Sequence, residues 1–325
     1  EMVIRDWSSD VCSSDLSLGN ALDVDDLLKH FGADVCRWWV SSLAFENDIK
    51  VDLEFFELAG ESYRKVRNTL RFLLSNLYDF DAARDAVDPS SLAPSSLDAH
   101  VLGRAAGLQR EVLSAYGAFD FRRAHLALFD FCNDTLSAFY CAAMKDRLYC
   151  DRPDSPRRRA AQTVLWHVLE SLLRLLAPIL PHTADEAWRE LKGDPGACIH
   201  LEVANELPAV AADPDWPRAL EARDGALKAI EEAKSRGIEN RLDAAVVIPD
   251  PDGLLAKFSP DFADMLGVSR AAFSREVGEI QVLDLRAEPR CERSWKRDGT
   301  VRQRPGGGML SDRDAEAVGA RRAET

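Results

Sequence analysis

Residues 59–77 read Ala59-Gly60-Glu61-Ser62-Tyr63-Arg64-Lys65-Val66-Arg67-Asn68-Thr69-Leu70-Arg71-Phe72-Leu73-Leu74-Ser75-Asn76-Leu77. Ala59, Tyr63, Val66, Leu70, Leu73 and Leu77 recur at alternating spacings of four and three, which gathers them on one face of an α-helix. The same spacing sends Arg64, Arg67, Asn68 and Arg71 to the opposite face. A buried stripe and a cationic stripe therefore share one helix, and its apolar side needs helical partners.

Those partners follow in the chain. A second helix is expected from about Leu97 to Tyr116 and a third from Phe121 to about Tyr149, after the turn-rich linker Pro89-Ser90-Ser91-Leu92-Ala93-Pro94-Ser95-Ser96. A fourth opens at Ser155-Pro156, where proline at the first helical position loses no hydrogen bond. Its stripe is Ala161, Val164, Leu165, Val168, Leu169, Leu172, Leu175 and Leu176, and Pro178 and Pro181 stop it. Thr183 and Glu186 read as a capping box for a short helix to Leu191. The sum is a bundle of four or five helices with short connections.

After Gly193 the pattern changes. Pro195, Pro208, Pro214 and Pro217 mark an irregular stretch, and a smaller α+β unit is expected beyond it. Its elements are a helix over 219–236, a strand from Leu242 to Ile248, a helix from Pro260 to Leu266 and a strand from Glu279 to Leu285. From Glu288 onward the triplet Gly306-Gly307-Gly308 and dense charge predict a poorly packed end. The fold class is thus mainly α, a helical bundle followed by a small α+β domain.

Residues 6–16 repeat Ser-Ser-Asp without helical or strand periodicity. The string resembles the translation of a sequencing adapter, the other reading being a genuine serine-capped tail, and fold reasoning starts after it.

Composition narrows the function classes. A net charge of −14 argues against a protein that grips DNA along most of its surface, although it leaves room for a local basic face. The longest apolar stretch, Leu172 to Leu180, is broken by Arg174 and Pro178, well short of the roughly 18 to 20 residues a bilayer requires. Seven cysteines without a CxxC pair suit a reducing cytoplasm, and Asp6, Asp10 and Asp15 interrupt any signal-peptide core.

The chain offers no phosphate loop, no metal-spaced histidine pair and no nucleophile elbow. Two cationic features stand out. Arg64, Arg67 and Arg71 present guanidinium forks that match phosphate, and Asn68 can bond a base edge or ribose; a charged helix face is otherwise simply solvated. Lys145, Arg147, Arg152, Arg157, Arg158 and Arg159 cluster where the third and fourth helices join, with Asp146, Asp151 and Asp154 between them. Those acids can reduce the cluster to a local ion-pair network. His125 and His167 fall near apolar stripes and read as core histidines, and His182 at a helix entrance reads as a cap.

At these residues a family resemblance emerges. Gly32-Ala33-Asp34-Val35-Cys36-Arg37-Trp38-Trp39-Val40, the run from Tyr63 to Phe72, Phe119-Asp120-Phe121, the run from Lys145 to Asp151, and the run from Leu176 to Trp188 closely resemble bacterial-type isoleucyl-tRNA synthetases. The resemblance covers residues 17 to about 205. It implies an anticodon-binding bundle, with tRNA(Ile) as partner and Arg64, Arg67, Asn68, Arg71, Arg147 and Trp295 as candidate tRNA contacts.

Ser17-Leu18-Gly19-Asn20 resembles the end of the ATP-binding KMSKS loop, whose two lysines would then fall at Ser13 and Leu16. Neither can supply positive charge, so this loop is expected to be dead. Cys291-Glu292-Arg293-Ser294-Trp295 looks like the family's zinc-binding tail, with Ser294 at one expected cysteine and another expected near Ser311. Only Cys291 of that ligand set remains, so no zinc is expected. Trp295 either stacks on a base or packs on the small domain.

The resemblance implies the following division: a foreign segment at 1–16, the end of a catalytic domain at 17–50, the anticodon-binding domain at 51–205, a junction domain at 206–287 and a degraded zinc module at 288–325. The parent reaction joins isoleucine to tRNA with ATP and Mg²⁺, and this chain, read as a C-terminal fragment, is expected to be inactive alone. A cytoplasmic monomer that binds neither DNA nor membrane is expected. The alternative from another class is a helical scaffold that binds no RNA. A thiol hydrolase is the weakest rival, because Cys132, Cys141 and Cys150 lie along one helix like small buried apolar residues.

Overall fold

The computed structural model describes residues 23–46, 51–203, 206–306 and 308–320. The adapter-like segment and the loop remnant Ser17–Asn20 lie outside the described residues.

Helix α1 (Val24–Phe31) and helix α2 (Ala33–Ser41) lead into α3 (Leu53–Ser75), whose first turn is capped by the Asp52 carboxylate accepting from the Glu54 N–H. Ala59, Val66, Leu70, Leu73 and Leu77 are buried as the periodicity requires, and Tyr63 is half-buried, its hydroxyl 2.8 Å from that of Thr183. Helix α4 (Leu97–Gly117) is capped by Ser96. The predicted third helix is one continuous rod of three parts: α5 (Phe121–Asp130), a wider π-helical stretch (Phe131–Cys141) and α6 (Ala142–Cys150). Thr69 ties α3 to the π stretch by donating to the Cys132 carbonyl at 3.3 Å.

Helix α7 (Pro156–Leu176) packs against α3, α4, α6 and α8 (Pro181–Lys192). Because it is surrounded, it buries polar positions as well as its apolar stripe, and each of those finds a partner. Ser171, for example, accepts from the Gln109 amide at 3.3 Å.

The start of α8 departs from expectation. The helix begins at Pro181, so Thr183 lies inside it and forms no capping box with Glu186. Asp34 of α2 performs the capping instead, accepting from the Thr183 N–H at 2.7 Å and the Thr183 hydroxyl at 2.6 Å. A carboxylate distant in sequence satisfies the orphan donors at an N-terminus where it also suits the helix dipole.

Helix α9 (Trp216–Ala233), strand β1 (Ala244–Pro249), helix α10 (Ser259–Leu266), strand β2 (Arg270–Ser274) and strand β3 (Gln281–Asp284) make the α+β part. The sheet order is β2-β1-β3. β1 runs parallel to β2, with Val246 opposite Ala271, and antiparallel to β3, with Val246 opposite Val282. Strand β2 was not anticipated, because Arg270-Ala271-Ala272-Phe273-Ser274 is an edge strand without clean alternation. One apolar core runs without interruption from Val35 in α2 to Val282 in β3.

The expected poorly packed end is also corrected. Strands β4 (Arg302–Arg304) and β5 (Gly308–Leu310) pair as a hairpin, and α11 (Asp312–Ala317) closes it. A small core of Cys291, Val301, Leu310 and Ala315 lies beneath. Its hydropathy signal is weak because polar contacts hold most of the unit together.

Candidate nucleic-acid interface

Burial of Val66, Leu70 and Leu73 against the bundle forces the other side of α3 outward, and Arg64, Arg67, Asn68 and Arg71 are all exposed. Arg64 pairs with Glu61 one turn earlier, and both side chains face solvent. Among the described residues, Arg67, Asn68 and Arg71 make no side-chain hydrogen bond or ion pair, and α3 carries no acid after Glu61. Three polar side chains with unused donors therefore stand in a row.

The row leads into a groove of about 780 Å³ between the end of α3, α7 and α8. Arg71, Ser75, Tyr78, Phe80, Trp166 and Lys192 line it. Tyr78 is 80% exposed, an unusual state for an aromatic ring. Lys192 is partly engaged, pairing with Glu170 and lying 4.4 Å from the Trp188 ring centroid. The row ends at one exposed ring, Tyr78, beside half-buried Phe80 and Trp166, and the acids Asp81 and Glu190 line the groove as well; cations next to aromatic rings are what single-stranded nucleic acid favours, with phosphates on the cations and bases on the rings. Tyr78 and Trp166 were missed in the sequence because neither belongs to a motif; only the fold sets them beside Arg71.

Arg147 requires a correction. It is 1% exposed and makes no surface contact. Its Nη1 donates to Asp98 Oδ2 at 2.9 Å and its Nη2 to Asp261 Oδ1 at 2.6 Å. Tyr140 donates to the other Asp98 oxygen at 2.6 Å, and the Leu97 N–H to Asp261 Oδ2 at 2.8 Å. Burial opposes its charge, yet Asp98, Asp261 and Asp264 hold Arg147 above the ordinary guanidinium range. Burial also raises the Asp98 carboxyl, with Arg147 working against that rise. The residue pins α4 and α6 to α10.

Four more cations of that cluster are also paired within the molecule. Arg158 reaches Asp79 through both terminal nitrogens at 2.7 and 3.0 Å, Arg159 donates to Gln162 at 2.8 Å, and Arg157 pairs with Asp264. Arg152 forks onto Asp154 at 3.0 and 2.8 Å and reaches Glu316. Lys145 stays exposed.

Trp295 is 55% exposed, with the Arg290 guanidinium 5.6 Å from its ring centroid, so it is not packed into the small domain. Its φ of +62° places it in a tight turn closed by its N–H donating to the Cys291 carbonyl at 2.9 Å.

Several histidines and cysteines are held in the core. His125 is buried against Trp38, 3.0 Å from the Ser41 hydroxyl, and burial lowers its pKa to about 4. Burial lowers His100, which stacks on Trp216, to about 4 as well, and depresses His167. Burial pushes the Cys141 thiol up to about 12 and Cys150 up to about 11, and raises Cys132 further. A nucleophilic thiol needs the opposite shift, so Cys132, Cys141 and Cys150 are unsuited to that role. No described helix is long and apolar enough to cross a membrane.

Comparison with known proteins adds identity to this geometry. Residues 98–248 match the family described as the anticodon-binding domain of tRNA ligase, a match that begins after α3 and ends within β1. Isoleucine--tRNA ligase of Exiguobacterium sibiricum is 35% identical over 93% of this chain and 34% of its own length. That of Fervidobacterium nodosum is 38% identical over 86% of this chain and 32% of its own, and that of Brevibacillus brevis 39% identical over 71% and 26%. The chain thus spans about a third of the curated relatives it matches. A solved complex of Agrobacterium radiobacter K84 agnB2 LeuRS with tRNA and LeuAMS aligns over 59% of this chain and 22% of its own, at 19% identity and a TM-score of 0.41, too weak a likeness to argue from. With its helical bundle and these matches, the chain carries an anticodon-binding domain of tRNA ligase and is homologous over most of its length to isoleucine--tRNA ligases.

Proposed function

We propose that the face formed by Arg67, Asn68 and Arg71, together with the adjoining groove, is where this chain holds the anticodon arm of tRNA(Ile). The observation that supports it is the unpaired row on α3 running into exposed Tyr78 and half-buried Trp166, on a protein whose net charge is −14. Arg64 joins the face after exchanging Glu61 for phosphate, and Trp295 offers a second ring for stacking. Arg147 has no part in it.

Under the same reading, the longer parent joins isoleucine to tRNA(Ile) with ATP and Mg²⁺, in the cytoplasm and as a monomer. Residues 51–205 bind the anticodon, 206–287 form a junction and 288–325 a tail module. Ser13 and Leu16 stand at the expected loop lysines, so the 325-residue chain should give no isoleucylation.

The test is tRNA affinity across a salt series. Phosphate contacts make the logarithm of affinity fall linearly with the logarithm of salt, by roughly 0.7 to 0.9 per phosphate. Absence of tRNA binding at low salt leaves the helical-scaffold reading.

A further inference from the structure

Two pairs with the same spacing, Cys291 with Ser294 and Ser311 with Asp314, are brought together by the β4–β5 hairpin and α11. The resemblance places zinc-binding cysteines at Cys291, at Ser294 and near Ser311, and Asp314 stands at the same spacing from Ser311 as Ser294 from Cys291. A closed structural zinc site takes about four thiolate or imidazole ligands at roughly 2.0 to 2.3 Å. This set offers one thiol, one carboxylate and two neutral hydroxyls. Among the described residues, no group of three His, Cys, Asp or Glu is placed to hold a metal ion.

The geometry disagrees with a metal as well. The donors do not surround a common void; they surround one oxygen. Asp314 Oδ2 accepts from Ser294 Oγ at 2.7 Å, Ser311 Oγ at 2.8 Å, Cys291 Sγ at 3.2 Å and Arg313 Nη2 at 3.2 Å. Asp314 Oδ1 accepts from Arg293 Nη1 at 2.8 Å. The Asp314 side chain is completely buried, so this carboxylate sits at the centre of the cage and not at a vertex. Five donors, two of them guanidinium groups, satisfy a charge that would otherwise be costly to bury.

We infer that the Asp314 carboxylate takes the place of zinc as the hub of this module, which therefore folds and docks without a metal. The docking follows from the same groups. Arg293, which holds Asp314 Oδ1, also donates to the Tyr149 carbonyl at 2.9 Å and to the Cys150 carbonyl at the end of α6. Arg313, which holds Oδ2, pairs with Asp146 on α6. The hub thereby fixes the turn that presents Trp295 and anchors it to the bundle.

The experiment uses the full 325-residue chain purified without chelator. Metal analysis should find far less than one zinc per chain, and EDTA should leave the melting temperature unchanged. One tightly held zinc, or a chelator-induced drop, overturns the inference. In Asp314→Asn, amide exchange in α11 and the turn at Cys291 should accelerate by about tenfold or more while α7 is unaffected; unchanged exchange would remove the hub role. The triple variant Ser294→Cys, Ser311→Cys, Asp314→Cys should gain one cobalt(II) per chain with thiolate-to-metal charge-transfer absorption. Failure to bind cobalt overturns the claim that the four positions converge.

Discussion

The two arginine-rich regions of this molecule look alike in the sequence and behave in opposite ways. On α3, Arg67 and Arg71 project from a helix whose apolar stripe is fully spent on the core, and no acid reaches them among the described residues. At the junction of α6 and α7, Arg147, Arg157, Arg158 and Arg159 meet Asp79, Asp98, Asp261 and Asp264, acids from 49 to 114 positions away in the closest pairings. Cation density therefore says little about binding. What matters is whether distant carboxylates arrive when the chain folds, because a satisfied guanidinium has nothing left to offer a phosphate.

The largest expected effect falls on the closed region. Arg147→Ala leaves Asp98 and Asp261 buried without their cation and should cost about 3 to 5 kcal/mol, read by urea unfolding. Loss of less than about 1 kcal/mol would mean that the pair adds nothing to the contact between bundle and sheet. On the open face, Arg67→Ala with Arg71→Ala should weaken tRNA binding about tenfold near physiological salt and lower the salt slope by about one to two, with unfolding unchanged. If this double variant binds as the parent does, the two regions differ in pairing but not in function.

Acid separates the regions in another way. Burial works against the Asp146 and Asp79 carboxylates, but Arg313 and Lys296 hold the first, and Arg158 and Gln162 the second, below the usual carboxylate range. Since the folded values lie below the unfolded ones, their stabilisation is complete above the unfolded carboxylate range, near about pH 4, and is lost as pH falls through the depressed values. Stability followed downward from pH 5 should decline there. His125 contributes an earlier loss. Its folded value of about 4 lies below the unfolded value of about 6.5, so stability falls between those limits by at most about 3 kcal/mol. The smallest effect is expected for Arg64→Ala, which removes an exposed pair with Glu61: stability unchanged within error and tRNA affinity reduced less than about threefold.

Much of the bundle was legible before any coordinates. The stripe of α7 is buried residue for residue and that of α3 at every position except half-buried Tyr63, and Pro156 marks the start of α7 as its chemistry requires. What escaped was non-local. Thr183 looked like a cap until Asp34 arrived from α2 to do the capping. β2 has too little alternation to announce itself, since an edge strand needs only one neighbour. The tail looked unpacked because hydropathy does not register five donors closing on Asp314.

The amino-acid sequence by itself determined the helical periodicity, the cationic face of α3 and the kinship carried by its motifs, because each depends on neighbours within a few turns of the chain. Tertiary structure decided which charges remain available: it buried Arg147, exposed Tyr78 beside Arg71 and centred a carboxylate among Cys291, Ser294 and Ser311. The reason is physical. Pairing and desolvation depend on groups far apart in the chain, and only folding sets the distance between them.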